Sequence, residues 1–317
     1  MTKPTNKGQP DPGLLDFSAL KKTKKCYGLS SEKWYLAGKI SPESYKKSEE
    51  NFWKIAVEEN FEKKKEMLED CREFLQIQFR TTEPGSHVQS LKPFWEMPHG
   101  PKMLSAWFEW VTLEGSRDGC LKETIEGNSK SVFSMIQTFL SDKKGDGWDL
   151  KFEEVANTSQ ANYGNDIMIK VFLIRDLART WKNQAEKIIF VEGEDDITKV
   201  SNQPFIHILK VAQVGETDYD EKIHISVRIG NTLVFDDVTL IVALASMIQL
   251  AFVFHLMYPS GADDIFQFAQ RILANFGPTD GARNAQGKVK KHFIDFQISI
   301  GKMMVENRKG EVVKMFL

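Results

Sequence analysis

The stretch Val238–Tyr258, VTLIVALASMIQLAFVFHLMY, runs for 21 residues without an Asp, Glu, Lys or Arg, and no other segment matches its apolarity. Asp236 and Asp237 lead into it and Pro259 closes it. About 20 apolar residues match the hydrocarbon core of a bilayer, so the segment reads as a membrane span or as the buried central helix of a globular domain. The flanks favour the buried helix. Spans carry Lys or Arg at one end and Trp or Tyr at the interfaces. Here Asp236 and Asp237 precede the segment, Asp263 and Asp264 follow it, and no Lys or Arg lies between Arg228 and Arg271. Gln249 and His255 are polar groups that lipid would leave unsatisfied. An acid suits the positive end of a helix dipole, so Asp236 or Asp237 is expected to be the N-cap.

A helix apolar all round needs amphipathic neighbours to cover it. Immediately upstream, Ile223, Ile225, Val227 and Ile229 alternate with Lys222, His224, Ser226 and Arg228, and Gly230–Asn231 makes a two-residue turn into Thr232–Phe235. This is a β-hairpin over 222–235 with one buried and one wet face. Lys187–Val191 and Phe205–Val211 read as strands, and Asp166–Trp181 as a helix with Ile167, Val171, Ile174, Ala178 and Trp181 on one face. Downstream, Asp263–Phe276 is expected to be helical with Gly277 as its stop. Lys288–Asn307 is expected to be the last long helix, carrying Val289, Phe293, Phe296, Ile300 and Met303 at 4-3-4-3 spacing.

In the first half, Ser41–Pro42–Glu43 is a helix start, and the helix is expected to run to Gln78 with Trp53, Val57, Phe61, Leu68, Cys71 and Leu75 along one face. Thr81–Ser90 reads as a loop. Leu104, Trp107, Phe108 and Val111 then fall at helical spacing, so the aromatic cluster with Phe94, Trp95 and Trp110 is assigned to core packing over base stacking. Ser129–Leu140 is helical, and DKKGDGWD after it reads as a loop.

The 317 residues, with 41% hydrophobic content and 22 Phe, suffice for one large or two ordinary domains. The expected class is mainly α (α+β), with a small antiparallel hairpin or sheet packed on the buried apolar helix 238–258. The expected organisation is a disordered basic tail over 1–28, a helical domain over 29–160 and an α+β domain over 161–317. A net charge of −2 gives no global field toward nucleic acid or acidic lipid. Three widely spaced cysteines, Cys26, Cys71 and Cys120, fit free thiols in a reducing compartment. The polar N-terminus has no secretory apolar run, so the cytoplasm or nucleus is the expected location.

Motifs for chemistry are sparse. GARNAQGKV at 281–289 imitates a phosphate-binding loop, but five residues separate Gly281 from Gly287, and Val289 stands where the hydroxyl for magnesium belongs. A softer reading lets Arg283, Lys288, Lys290 and Lys291 hold an anion at a helix start. Lys21, Lys22, Lys24 and Lys25 form a second basic cluster. FVEGEDD at 190–196 resembles the first motif of the toprim fold, in which Glu192 would lead a metal site completed by Asp218 and Asp220. The 25 residues between Glu192 and Asp218 are few for that fold's intervening elements. The six histidines show no metal-ligand spacing, and neither GxSxG nor HExxH occurs.

VRIGNTLVFDD, the apolar helix ending HLMYP, and IFQFAQRIL together resemble the C-terminal module of a set of animal proteins, many labelled sterile alpha motif domain-containing protein 3-like. The matched positions are the hairpin turn, the apolar helix, Tyr258–Pro259, Phe266, Phe268 and Gln270, about a quarter of the chain. His255 departs from the Asn that the set often has, and the N-terminus shows no sterile alpha motif. The resemblance implies a soluble protein and no reaction.

No residue set converges on one chemical task. The leading expectation is therefore a non-enzymatic intracellular interaction or scaffold protein without a cofactor. It would meet a protein partner, or itself, through the helices 42–78 and 288–307. The alternatives are a nucleic-acid-associated protein, a nucleoprotein or mobile-element-derived factor, using segments 21–25 and 283–291, and a toprim-like metal-dependent nuclease.

Overall fold

The computed structural model describes residues 15–16, 39–75, 100–112, 121–161, 165–196, 203–214, 219–253, 258–274, 291–292, 295–296 and 298–299. The fold is mainly helical with a small mixed sheet, the α+β class expected from the sequence. The chain forms two compact units, Met1–Arg117 with Gln249–Met257, and Asp118–Ile248 with Tyr258–Leu317.

In the first unit, two-residue strands β1 (Leu15–Asp16) and β2 (Lys39–Ile40) pair antiparallel. Helix α1 (Pro42–Val57) begins as the sequence dictates, with Ser41 Oγ accepting from Ser44 N at 3.1 Å and Pro42 in its first turn. The expected single helix to Gln78 does not form. Glu58 is extended, and Asn60 Oδ1 accepts from Lys63 N at 3.1 Å to start α2 (Phe61–Glu66), followed by a 3₁₀ turn at Glu69–Cys71. A straight helix of that length would string its apolar residues over about 55 Å. The break instead brings Phe52 within 4.9 Å of Phe74, and Ser48 Oγ accepts from Phe74 N at 3.1 Å. Phe52, Ile55, Leu68, Cys71 and Leu75 are buried as a result, whereas Trp53 and Val57, expected on the same apolar face, are exposed. Helix α3 (Gly100–Thr112) buries Leu104, Trp107 and Phe108, in line with core packing. Trp95 lies outside the described residues.

The second unit is built on three helices, α4 (Leu121–Lys144), α5 (Asp146–Ala161) and α6 (Asn165–Thr180). DKKGDGWD is not a loop. Gly145, at φ +69°, ends α4 by donating its amide to Ser141 O at 2.8 Å, and α5 starts at the next residue. The sheet has the order β3 (Ile189–Val191), β4 (Pro204–Val214), β5 (Tyr219–Ile229), β6 (Thr232–Phe235). The expected hairpin is present, with Gly230 at φ +54° in its turn and a bulge at Val227/Arg228. The sheet is mixed, because β3 runs parallel to β4, a non-local pairing that periodicity does not reveal. Its aliphatic face, Ile189, Val191, Ile206, Ile208, Ile225, Val227 and Ile229, is buried. The opposite face is not simply wet: Phe190, Phe205 and Ser226 are buried there too.

Helix α7 (Leu240–Val253) forms the apolar element. Its cap is not Asp236 or Asp237: Thr239 Oγ1 accepts from Val242 N at 3.3 Å, and the two acids turn to His224. Gln249 Nε2 donates to Ser105 Oγ at 3.0 Å, which satisfies the amide inside the apolar run. The 14 described residues of α7 rise about 21 Å. Among the described residues no helix is long and apolar enough to cross a membrane. Helix α8 (Asp263–Phe268) runs into a π-turn at Ala269–Leu273, where the sequence predicted continuous α-helix. The described residues between 291 and 299 are helical, with Phe296 packed 5.0 Å from Phe139 and 5.3 Å from Phe268.

Candidate functional site

A concentration of polar groups lies on the half-covered face of the sheet and at the end of β3. The strand β3 stops because Asp195 Oδ2 takes the amide of Val191 at 2.7 Å and Gly193, at φ +82°, turns the chain. Arg175 reaches this turn from α6 while only 5% exposed, donating to Glu194 at 3.1 Å and to Asp195. Lys210 Nζ on β4 adds a 2.8 Å bond to Glu194. Burial pushes the Glu194 carboxyl up, but Lys210 and Arg175 outweigh it and hold it below the usual carboxylate range. Acids of the FVEGEDD turn thus neutralise a buried guanidinium, a structural task.

Glu192 faces elsewhere. Its Oε2 lies 2.9 Å from His207 Nε2, and His207 Nδ1 lies 3.4 Å from Ser226 Oγ. Burial and the nearby Arg228 charge lower the His207 pKa, so the neutral ring prevails at neutral pH, with one nitrogen able to accept. The order serine, imidazole, carboxylate resembles a nucleophilic relay. Two observations deny it that chemistry. Ser226 is 1% exposed in a central strand, so no substrate reaches its hydroxyl. Its main-chain groups face β4 within the β4–β5 pairing, because Ile225 O, one residue away, accepts from Val238 N on the opposite edge. The amide of Ser226 is therefore not offered to an oxyanion.

Of the toprim-like set, Glu192 and Asp220 can be placed by the sheet register. In the sheet register Val191 aligns with Ile208, whereas Asp220 aligns with Gln213. Glu192 and Asp220 therefore stand about 13 Å apart along the strands at 3.3 Å per residue, too far to share one ion or a close ion pair. Asp218 lies outside the described residues. Among the described residues no group of three or more His, Cys, Asp or Glu is placed to hold a metal. Of the basic residues singled out, Lys291 is exposed, and Lys21, Lys22, Lys24, Lys25, Arg283, Lys288 and Lys290 lie outside the described residues. The Cys71 thiol is buried and pushed up to about 12 by that burial and by Asp70, which makes it inert as a nucleophile.

A buried polar network that periodicity did not reveal joins α4, α5 and α6. Asp176, 4% exposed in the second half of α6, accepts from Trp148 Nε1 at 2.6 Å, Lys144 Nζ at 3.2 Å and Arg179 at 3.1 Å. Burial pushes its carboxyl up, yet these three donors together hold it below the usual range. The available signal was the pair Arg175–Asp176 inside an otherwise apolar stripe. A second such device is Asn183, whose Oδ1 accepts from Asp264 N and Ile265 N at 3.2 and 3.3 Å.

Among the described residues, two exposed apolar side chains lie together on α1. Trp53 is 44% and Val57 is 79% exposed, four residues apart on α1 and therefore on one side of the helix. Ile298, on the C-terminal helical segment, is 50% exposed. Single exposed apolar side chains are ordinary, and tryptophan is one of the residue types enriched at the centres of protein contacts. Comparison of the chain with family models, with curated proteins and with solved structures finds no match in any of the three.

Proposed function

We propose that this chain is a non-enzymatic intracellular interaction protein that engages a protein partner through the Trp53–Val57 face of α1. The observation that carries the reading is the exposure of those two side chains at helical spacing. An apolar helix stripe left in water is the half of a helix-in-groove contact that a partner completes. Ile298 marks the other expected surface, the 288–307 segment. The polar clusters support the same reading by what they do: Arg175, Glu194, Asp176 and Asn183 each satisfy neighbouring groups of the fold.

The test is affinity purification of the full-length chain beside Trp53→Glu/Val57→Lys. This substitution removes the apolar face and installs a helix-compatible Glu–Lys pair at the same spacing. The reading expects a defined set of proteins held by the wild type and depleted about tenfold or more with the variant, at unchanged melting temperature. Identical sets for the two chains would contradict it, as would recovery of nucleic acid alone, released by salt from both.

A further inference from the structure

The hairpin of β4 and β5 is longer than the sheet that flanks it. Eleven register pairs join Pro204–Val214 to Tyr219–Ile229, but β3 covers only Ile206–Ile208. The hydrogen bonds fix which way the uncovered part faces. Ile206 N donates to Ile188 O at 2.7 Å, and Ile208 O accepts from Glu192 N at 2.9 Å. Even-numbered residues of β4 therefore turn their main-chain groups toward β3. By the same alternation Lys210, Ala212 and Val214 turn theirs to that edge beyond the end of β3, where no strand runs alongside among the described residues.

Two other stretches of strand edge are guarded. On β3, Val191 N is taken by the Asp195 carboxylate. On β5, Val238 N covers Ile225 O, and three successive charged residues, Asp220, Glu221 and Lys222, follow toward the tip. Charges and covered amides are the ordinary defences of a strand edge. The β4 edge reads KVAQV over 210–214, with no charge after Lys210, no proline and two valines.

We propose that the outer edge of β4 at Lys210–Val214 pairs with the same edge of a second copy of this chain, antiparallel about a two-fold axis through Ala212. An isologous contact requires a self-complementary strand. In this register Ala212 meets its copy, Lys210 stands opposite Val214, and Val211 opposite Gln213, so no like charges face each other. Residues 210, 212 and 214 are the hydrogen-bonded positions, giving about six main-chain bonds across the axis. The smallest side chain of the segment sits where the two strands cross the axis. A contact of this size without a large apolar face supports micromolar association, about 1 to 100 µM. It does not depend on the α1 surface.

Sedimentation equilibrium of the full-length chain from about 1 to 300 µM tests this. Ala212→Pro deletes the outward amide at the axis and leaves the pairing of β4 with β5 intact, because that amide does not face β5. The expected result is a monomer–dimer equilibrium for the wild type and a dissociation constant about 30-fold or more higher for Ala212→Pro. Glu221→Pro, the equivalent change on the guarded edge, and Trp53→Glu/Val57→Lys are expected to leave the dimer unchanged. Ala212→Val, a strand-favouring residue at the axis, is expected to keep or tighten it, which controls for misfolding of the proline variant. A wild type that stays monomeric throughout, a dimer indifferent to Ala212→Pro, or a dimer lost with Trp53→Glu/Val57→Lys would overturn the proposal.

Discussion

Helices α1 and α6 are both 16 residues long, and they break the usual partition of side chains in opposite directions. Helix α6 buries charge: Arg175 is 5% and Asp176 is 4% exposed. Helix α1 exposes hydrophobes, Trp53 and Val57. The first exception is resolved inside the molecule, since each buried charge meets partners from other elements at hydrogen-bond distance. The second is resolved only in part: the Trp53 ring meets the edge of Phe52 at 5.2 Å, yet Trp53 is 44% and Val57 79% exposed. A buried satisfied charge speaks of architecture, and an exposed apolar pair of something outside the chain.

The comparison breaks first at Asp176. Asp176→Ala leaves the Trp148 indole N–H buried without its acceptor and two cations without their counter-charge. A loss of about 2–4 kcal/mol in urea unfolding at pH 7 is expected, tempered because Lys144 and Arg179 reach water. The same carboxyl gives a pH signature. Its folded pKa lies below the ordinary value, so its contribution is fully present above that ordinary value, about pH 4, and is lost as the pH falls through the folded pKa. Wild type should lose stability below about pH 4, and Asp176→Asn should flatten that limb. Next in size is Trp148→Phe, which keeps an aromatic ring beside Phe152 and Phe172 but drops the donor; about 1–1.5 kcal/mol is expected in the same assay. Least affected should be Trp53→Glu/Val57→Lys, within about 0.5 kcal/mol of wild type by thermal melting. A loss several times larger would mean that α1 is a structural face, and the contrast between the two helices would collapse.

Much of the fold was legible where a local signal governs it. The Ser41–Pro42 start, the Gly230–Asn231 turn and a strand over Ile223–Ile229 all appear in the structure, although Ser226 on the expected wet face is buried. Local signals also misled. Asp236 and Asp237 looked like caps because acids suit a helix start, yet the helix begins three residues later and Thr239 holds it, because His224 claims both acids. GDG looked like a loop because Gly145 breaks a helix, but a single residue at positive φ is enough to join two. The break at Glu58–Asn60 was hidden in a strongly polar stretch where periodicity is silent. Non-local pairings were out of reach: β3 beside β4, Asn183 capping α8 and Asp176 gathering donors from α4 and α5 join residues far apart in sequence. The candidate site divides the same way. Trp53 and Val57 were placed on an amphipathic helix, but their exposure depended on the break that turned Leu68 and Cys71 inward.

The most direct test of the central claim places a photocrosslinking residue at position 57 of the full-length chain and compares it with one at exposed Glu59. The account predicts discrete protein adducts at 57 that disappear when Trp53→Glu is added. Equal labelling from 57 and 59, or adducts at 57 that survive Trp53→Glu, would contradict it.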